Sequence, residues 1–423
     1  MAAVVSIDSQ EGSPRKGLHW AWVILAVCFF NLLLNYSIRL GFGVVLPEMI
    51  RSLGLNRTQS GTMFNFYFFA YICLTPLAGN LTDRFGARRI ITLFCILMGT
   101  GTLLVGTVER FWAACFFFAL AGAGSSAMWT PVLAVAQRWF GSRRRGMALG
   151  ILSTGSGVGY AAVGWLFPVL IGLSSWRLCW YVLGTCTLIM VLINGILLRS
   201  KPEDLQLSPW GGERGSLPGG KHNEEGDRGV RYTEVFHSSL FWIIGTSYFF
   251  IACTLYIITT FMVDYANGEL GFSLKQASFL ATINGLSQIV GLLTIPVLSD
   301  YIGRRLTLMG SNVVIALAIV GIIASGKALF GLYASVAILG MFYGIIWPMY
   351  GACAGDYFEK RVMGTVIGAW TVFYGSGAIS AHFIAGRIRD VTQSFQTAFF
   401  LAILFALVAA FLMLKLRKPA EES

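Results

Sequence analysis

Twelve apolar runs, each long enough to cross a bilayer, leave this chain few folds to choose from. A hydrocarbon core of about 30 Å takes roughly 20 apolar residues per helix. Runs of that length fall near 20–48, 60–81, 88–108, 111–139, 146–173, 177–199, 239–266, 274–298, 305–326, 329–357, 362–386 and 394–416. In lipid each backbone amide must be bonded within its own segment or a closed barrel, so long apolar runs of this kind are helices. The predicted fold is an all-α membrane protein. Composition agrees, because only 12% of the residues are charged, against about a quarter in a soluble domain. A water-soluble enzyme is excluded.

One long polar stretch, residues 200–238, interrupts the series with Pro209-Trp-Gly-Gly, Pro218-Gly-Gly and mixed charges, and reads as a flexible linker. The expected organisation is a tail at 1–19, a six-helix bundle at 20–199, the linker at 200–238, a second six-helix bundle at 239–416 and a tail at 417–423. Residues 1–17 are polar and the first apolar run is too long for a cleaved leader, so that run reads as the first helix. The net charge of 31 − 20 = +11 comes from short cationic runs between helices, a pattern that points to a membrane face and not to nucleic acid. Of 31 Lys and Arg, 8 fall in loops on one side and Arg39 lies within a helix, leaving 31 − 8 − 1 = 22 on the side of the termini and linker. That asymmetry puts both termini in the cytoplasm of a multi-pass cell-membrane protein.

The two halves repeat one another. Gly79-Asn-Leu-Thr-Asp83-Arg84-Phe-Gly86-Ala-Arg88-Arg89 follows the second helix, and Pro296-Val-Leu-Ser-Asp300-Tyr-Ile-Gly303-Arg304-Arg305 follows the eighth. Asp83 and Asp300 are 217 residues apart, as are Gly86 and Gly303, and as are the prolines of Trp129-Thr-Pro131 and Trp347-Pro348. A repeat of half the chain length means two homologous bundles, not a solenoid.

The segment from Gly79 to Arg89 resembles the loop motif of the major facilitator superfamily, G-x-L-x-D-R-x-G-R-R, with a degenerate copy at Asp300, Gly303 and Arg304. The resemblance implies a secondary transporter working by alternating access. In physical terms Asp83, near a helix end, with Arg84, Arg88 and Arg89 at headgroup level, forms a candidate latch between the halves, while Gly86 permits the tight turn. Two branches are similar. Asn35-Tyr-Ser-Ile-Arg39 resembles the N-Y-x-D-R pattern of anion:cation symporters, and Trp129-Thr-Pro131 to Arg138-Trp-Phe140 resembles the monocarboxylate and oxalate/formate group. Ile38 stands where the symporter pattern has Asp, and the eighth helix offers Asn284 and Gln288 where the monocarboxylate group has Arg. Both branches imply an organic anion.

Arg39 is the cation left inside a span, where a guanidinium is costly unless paired, and residues of this kind mark functional sites. Asn31, Asn35 and Arg39 are spaced i, i+4, i+8 and share one helix face. An arginine fork suits carboxylate or phosphate oxygens, so a substrate carboxylate is expected on Arg39; the alternative is that Arg39 snorkels outward or pairs structurally, with Glu48 as the candidate partner. Asn284 and Gln288 are expected to face the same cavity, with Tyr67, Trp129, Tyr256, Trp347, Trp370 and Tyr374 shaping it. His382, the one histidine within a span, reads as a structural residue near a helix end. Uniport, proton symport and exchange against a counter-anion all stay open.

No catalytic constellation, phosphate loop or metal spacing is present, and the eight cysteines lie in apolar segments without a CxxC pair. No enzyme activity, cofactor or metal is therefore expected, and the expected partners are a small organic anion and the bilayer, with the chain acting as a monomer. A drug exporter would need carboxylates in the membrane, and a non-transporting sensor would need a folded linker. The sequence offers neither.

Overall fold

The structure, a computed structural model, describes residues 19–211, 232–359 and 362–416. Fifteen α-helices follow in order: α1 (Trp20–Leu53), α2 (Arg57–Phe85), α3 (Ala87–Val105), α4 (Phe111–Ser125), α5 (Thr130–Trp139), α6 (Ser142–Leu173), α7 (Trp176–Leu197), α8 (Tyr232–His237), α9 (Ser239–Asp264), α10 (Leu274–Ile302), α11 (Arg304–Ser325), α12 (Leu329–Tyr343), α13 (Ile346–Tyr357), α14 (Met363–Thr392) and α15 (Gln396–Leu414). The pairs α4/α5 and α12/α13 each make one crossing, and α8 is too short to cross, so 15 − 2 − 1 = 12 crossings result. Eleven of them are apolar enough to be membrane spans by hydropathy alone. The twelfth, α14, is diluted by Gly, Ser, Tyr, Trp and His along its length.

The broken crossings come from proline. Pro131 stands in the first turn of α5, and Pro348 in the first turn of α13. A proline lacks the N–H that would continue the helix, so the chain bends before it. The repeat extends to the caps. Asn56 and Ser273, 273 − 56 = 217 residues apart, each close a capping box with a glutamine three residues on, Gln59 and Gln276. Gly86 and Gly303 end the same helices at φ 84° and 89°, a region closed to most side chains.

Several boundaries differ from the sequence expectation. The first crossing runs to Leu53, beyond 48, because Glu48 and Arg51 pair at 3.0 Å within its last turns, and Gly54 at φ 63° stops it. Span eleven runs to Thr392, beyond 386, and Gln393 at φ 59° caps it. The first part of the expected flexible linker is docked. Pro202–Leu205 forms a 3-10 turn, the Trp210 backbone bonds Trp139 and Gly141, and its indole packs on Trp22 and Phe140 with Arg144 over it. The stretch 212–231, like 1–18 and 417–423, lies outside the described residues.

Helices α1 to α7 pack as one bundle and α9 to α15 as another. The bundles meet along α6 with α10, α2 with α14, and α1 with α9. Large apolar side chains point outward all round, among them Trp112, Trp165, Leu173, Phe330 and Phe400. Such a belt is an aggregation hazard in water and the ordinary surface of a protein in lipid. Below, the side on which α1 begins and α15 ends is called proximal, and the other distal.

Candidate substrate site

Near the middle of α1, on the face turned toward α2, α9 and α14, lies Arg39. Its side chain is 5% exposed, and the guanidinium carbon sits 4.6 Å from the ring of Phe68, 5.3 Å from Tyr71, 5.5 Å from Tyr256 and 5.8 Å from Tyr374. Two of these rings belong to the first bundle and two to the second, so the cation sits on the seam between them. Each ring face contributes about 0.5–2 kcal/mol toward holding a cation, which offsets part of the cost of burying it. The rings leave its hydrogen-bonding unmet, because Nε and Nη2 are buried without an acceptor. Glu48 is engaged by Arg51 at the distal end, so the expected structural alternative for Arg39 is not the one the fold adopts.

Asn35 extends the site toward α4. Its Oδ1 accepts from Ser125, and the hydroxyl of Tyr67 donates to Ser125 Oγ at 2.7 Å. This relay ties α1, α2 and α4 together beside the cation. On the proximal side of Arg39, Tyr36 meets Trp129 at 6.0 Å, Trp129 meets Trp347 at 4.9 Å, and Trp347 meets Tyr374 at 6.4 Å. Arg39, Asn35, Tyr67, Trp129, Tyr256, Trp347 and Tyr374 thus form one connected group. The sequence reading had no signal for Phe68 and Tyr71, which sit among many other aromatic residues of α2.

Four residues named from sequence are placed elsewhere. Asn31 exchanges a pair of hydrogen bonds with Asn194 of α7, at 2.8 and 2.9 Å, and its amide is used up inside the first bundle. Trp370 donates its indole N–H to the carbonyl of Phe241 at 3.1 Å and stacks within the second bundle. Asn284 and Gln288 bond each other at 2.8 Å where α10 is clasped by α6 and α12, while Asn284 Nδ2 and Gln288 Oε1 are left unpartnered.

The distal end is strapped across the bundles. Arg57 of α2 reaches both carboxylate oxygens of Asp264 at 3.0 and 3.2 Å, and Asp390 accepts from the backbone of Arg57 and Thr58 and from the Thr58 hydroxyl. The proximal end is different. Arg304 pairs with Asp300 and Asp356 inside the second bundle, Arg88 donates to the carbonyl of Gly195 inside the first, and Asp83, Arg84 and Arg89 are exposed. Among the described residues no proximal ion pair joins the bundles. The bundles are tied together at the distal end, and among the described residues no ion pair joins the two loop motifs.

Two overlapping matches to the family model of the Major Facilitator Superfamily cover residues 25–273 and 244–423. The chain belongs to that superfamily. Its Major Facilitator fold is shared with a solved bacterial homologue of the human lysosomal transporter Spinster, in an inward-facing and unoccupied conformation, at TM-score 0.72 and 15% identity over 96% of this chain and 100% of the other. A probable hexose phosphate transport protein of Chlamydia pneumoniae is 23% identical over 97% of this chain and 94% of its own. The hexuronate transporter of Bacillus subtilis (strain 168) is 22% identical over 94% of each. This Major Facilitator protein is a multi-pass membrane transporter and not an enzyme.

Proposed function

We propose that the protein carries a small organic anion, a monocarboxylate, across the cell membrane by alternating access, with Arg39 as the docking cation. The observation that carries this reading is the pair of orphaned N–H groups on a guanidinium enclosed by rings from both bundles. Nε and one Nη offer two parallel donors, which is the geometry a carboxylate accepts. Supporting it, two relatives are named for anionic solutes, a hexose phosphate and a hexuronate. The distal mouth holds a pocket of about 490 Å³ lined by Arg57, Arg387, Arg389 and Asp390, in which Arg57 is paired with Asp264 and Arg389 with Glu269.

In this reading the proximal side is cytoplasmic by the Lys and Arg count. The present state has its distal gate shut and a thin aromatic lid, Trp129 on Trp347, beneath the site. In the opposite state the Asp83 and Asp300 loops, with Gly86, Arg88, Arg89 and Arg304, latch the cytoplasmic ends. The solute then enters Arg39 from the distal side and leaves past the two indoles.

The test is uptake of labelled pyruvate, D-glucuronate and glucose 6-phosphate into proteoliposomes. Arg39→Ala is expected to lower uptake by at least about a hundredfold and Arg39→Lys by about tenfold, since an ammonium supplies charge without the fork. Wild-type affinity in Arg39→Ala would remove the proposal. Pyruvate as the preferred probe supports the monocarboxylate reading, and preference for glucose 6-phosphate would replace carboxylate by phosphate.

A further inference from the structure

His382 lies 392 − 382 = 10 residues from the end of α14, with no solvent exposure. Its Nδ1 is 2.7 Å from Oδ1 of Asn65, and its Nε2 is 3.0 Å from the hydroxyl of Thr260. The Asn65 amide is oriented by its own Nδ2, which donates to the carbonyl of Ile379 at 3.0 Å. Oδ1 is therefore left to accept, and Nδ1 carries a proton. Nε2 is the nitrogen free to change state, and its partner is a hydroxyl, which donates to a bare nitrogen or accepts from an N–H. Neutral imidazole and imidazolium are both fully bonded in this one pocket.

The two Asn65 bonds also join the bundles, because Asn65 is on α2 while Ile379 and His382 are on α14; the Thr260 bond ties α14 to α9 within the second bundle. The ring is packed against Phe64 at 5.3 Å, Phe68 at 5.5 Å and Tyr256 at 5.5 Å. The titratable and charged groups on the elements around it are Arg39 of α1, Tyr67 and Tyr71 of α2, Tyr256 of α9 and Tyr374 of its own helix. The carboxylates of Asp264 and Asp390 are bonded to Arg57 or its backbone at the distal strap. Phe68 and Tyr256 touch both the guanidinium and the imidazole.

We infer that His382 is the proton-binding residue that couples the transport of the anion to that of a proton. The inference rests on the anion reading of Arg39. Two cations against the same two rings in an apolar interior repel, so the imidazolium is tolerated while an anion compensates Arg39, and each ligand raises the affinity for the other. When the distal gate opens, Asn65 withdraws with its bundle and the ring meets outside water. The Nε2 lone pair then takes a proton from hydronium and leaves a water molecule. After the gates exchange and the anion departs, Arg39 is uncompensated. The Nε2–H bond then breaks, and its proton passes to a water molecule admitted from the proximal side, which leaves as hydronium. One proton crosses with each anion.

The experiment compares two modes of labelled pyruvate and D-glucuronate uptake in the same proteoliposomes: exchange against internal unlabelled anion at equal pH, and net uptake driven by an acid exterior. Wild type is expected to take up anion about tenfold faster with a gradient of about two pH units, with acidification of a trapped pH dye. His382→Asn is expected to keep exchange and lose both gradient stimulation and the dye signal. Thr260→Val, which removes the reversible hydroxyl, is expected to do the same in part, and decides the matter if His382→Asn does not fold. Gradient stimulation surviving in folded His382→Asn, or undiminished in folded Thr260→Val, overturns the inference, as does pH-independent net uptake in wild type. Absence of exchange in wild type with both probes counts instead against the anion reading.

Discussion

Trp129 and Trp347 meet edge to face across the seam between the bundles, their centroids 4.9 Å apart and their planes at 67°. Each stands where its crossing is broken, Trp129 immediately before α5 and Trp347 second in α13. The two proline breaks therefore bring the two rings together beneath Arg39. An aromatic contact of this kind adds about 0.5–1.5 kcal/mol beyond area burial, so the proximal lid opens on thermal fluctuation. In a Tyr36→Cys variant, the added Trp347→Ala change is expected to speed labelling at position 36 by a proximal thiol reagent about tenfold, read by mass spectrometry at that site. An unchanged rate would mean that the closure lies deeper in the bundle.

The distal strap is stronger. Asp264 is 3% exposed and takes both arms of the Arg57 fork, which is itself 27% exposed. Breaking a fully buried pair costs about 3–5 kcal/mol, and the partial exposure of Arg57 brings this down to about 1–2 kcal/mol. Asp264→Asn is accordingly expected to enlarge the distal-open population about tenfold. Pulsed electron paramagnetic resonance between labels replacing the exposed distal residues Ser52 and Lys275 would show it as growth of a longer distance. An unaltered distribution would leave Asp390 as the strap that matters.

Much of this was legible from the sequence, and the reasons differ by residue. A run of 20 apolar residues has one stable form in lipid, so the twelve crossings follow, and the recurrence of Asp83 and Gly86 at Asp300 and Gly303 gives the two bundles. Arg39 was legible because a charge inside an apolar helix is costly and stands out in the sequence. The rings around it were not, since choosing Phe68 and Tyr71 from the aromatics of α2 needs the rotation of that helix against α1. The depth of His382 was hidden by Arg387, Arg389 and Asp390, which look like loop residues but extend α14 to its distal cap.

Asn31 illustrates the limit of periodicity. It shares a helix face with Arg39, yet that face is wide, and two turns proximal it looks toward α7 and Asn194. The reciprocal amide pair predicts a particular non-additivity. Asn194→Leu strands the buried Asn31 amide and is expected to cost about 1–3 kcal/mol, whereas the double change Asn31→Leu with Asn194→Leu recovers most of it. Thermal unfolding in detergent checks the cycle. Equal losses in single and double variants would mean that packing, and not the hydrogen bonds, sets the cost.

At the crossing of α6 and α10 the bundles touch through backbone. A Cβ added at Gly157 would stand 2.5 Å from the carbonyl oxygen of Gly285 and 2.8 Å from the side chain of Ile289, and one added at Gly285 would strike the backbone of Gly157 and Ala161. The main-chain obstacles on the two helices cannot swing aside, because they lie in the middle of a helix. Gly285→Ala is therefore expected to cost about 1–3 kcal/mol of packing strain and to lower transport at least about tenfold by wedging the bundles apart along the surface on which they rock. Gly150 offers a control on α6, since nothing lies within 4 Å of a Cβ there. Gly150→Ala is expected to leave transport unaltered and to stabilise the helix by up to about 1 kcal/mol. Melting temperature and proteoliposome exchange measured together on the two variants separate the effects: loss of exchange in Gly285→Ala with α6 intact places the pivot at this glycine contact, and wild-type exchange in that variant would move it elsewhere.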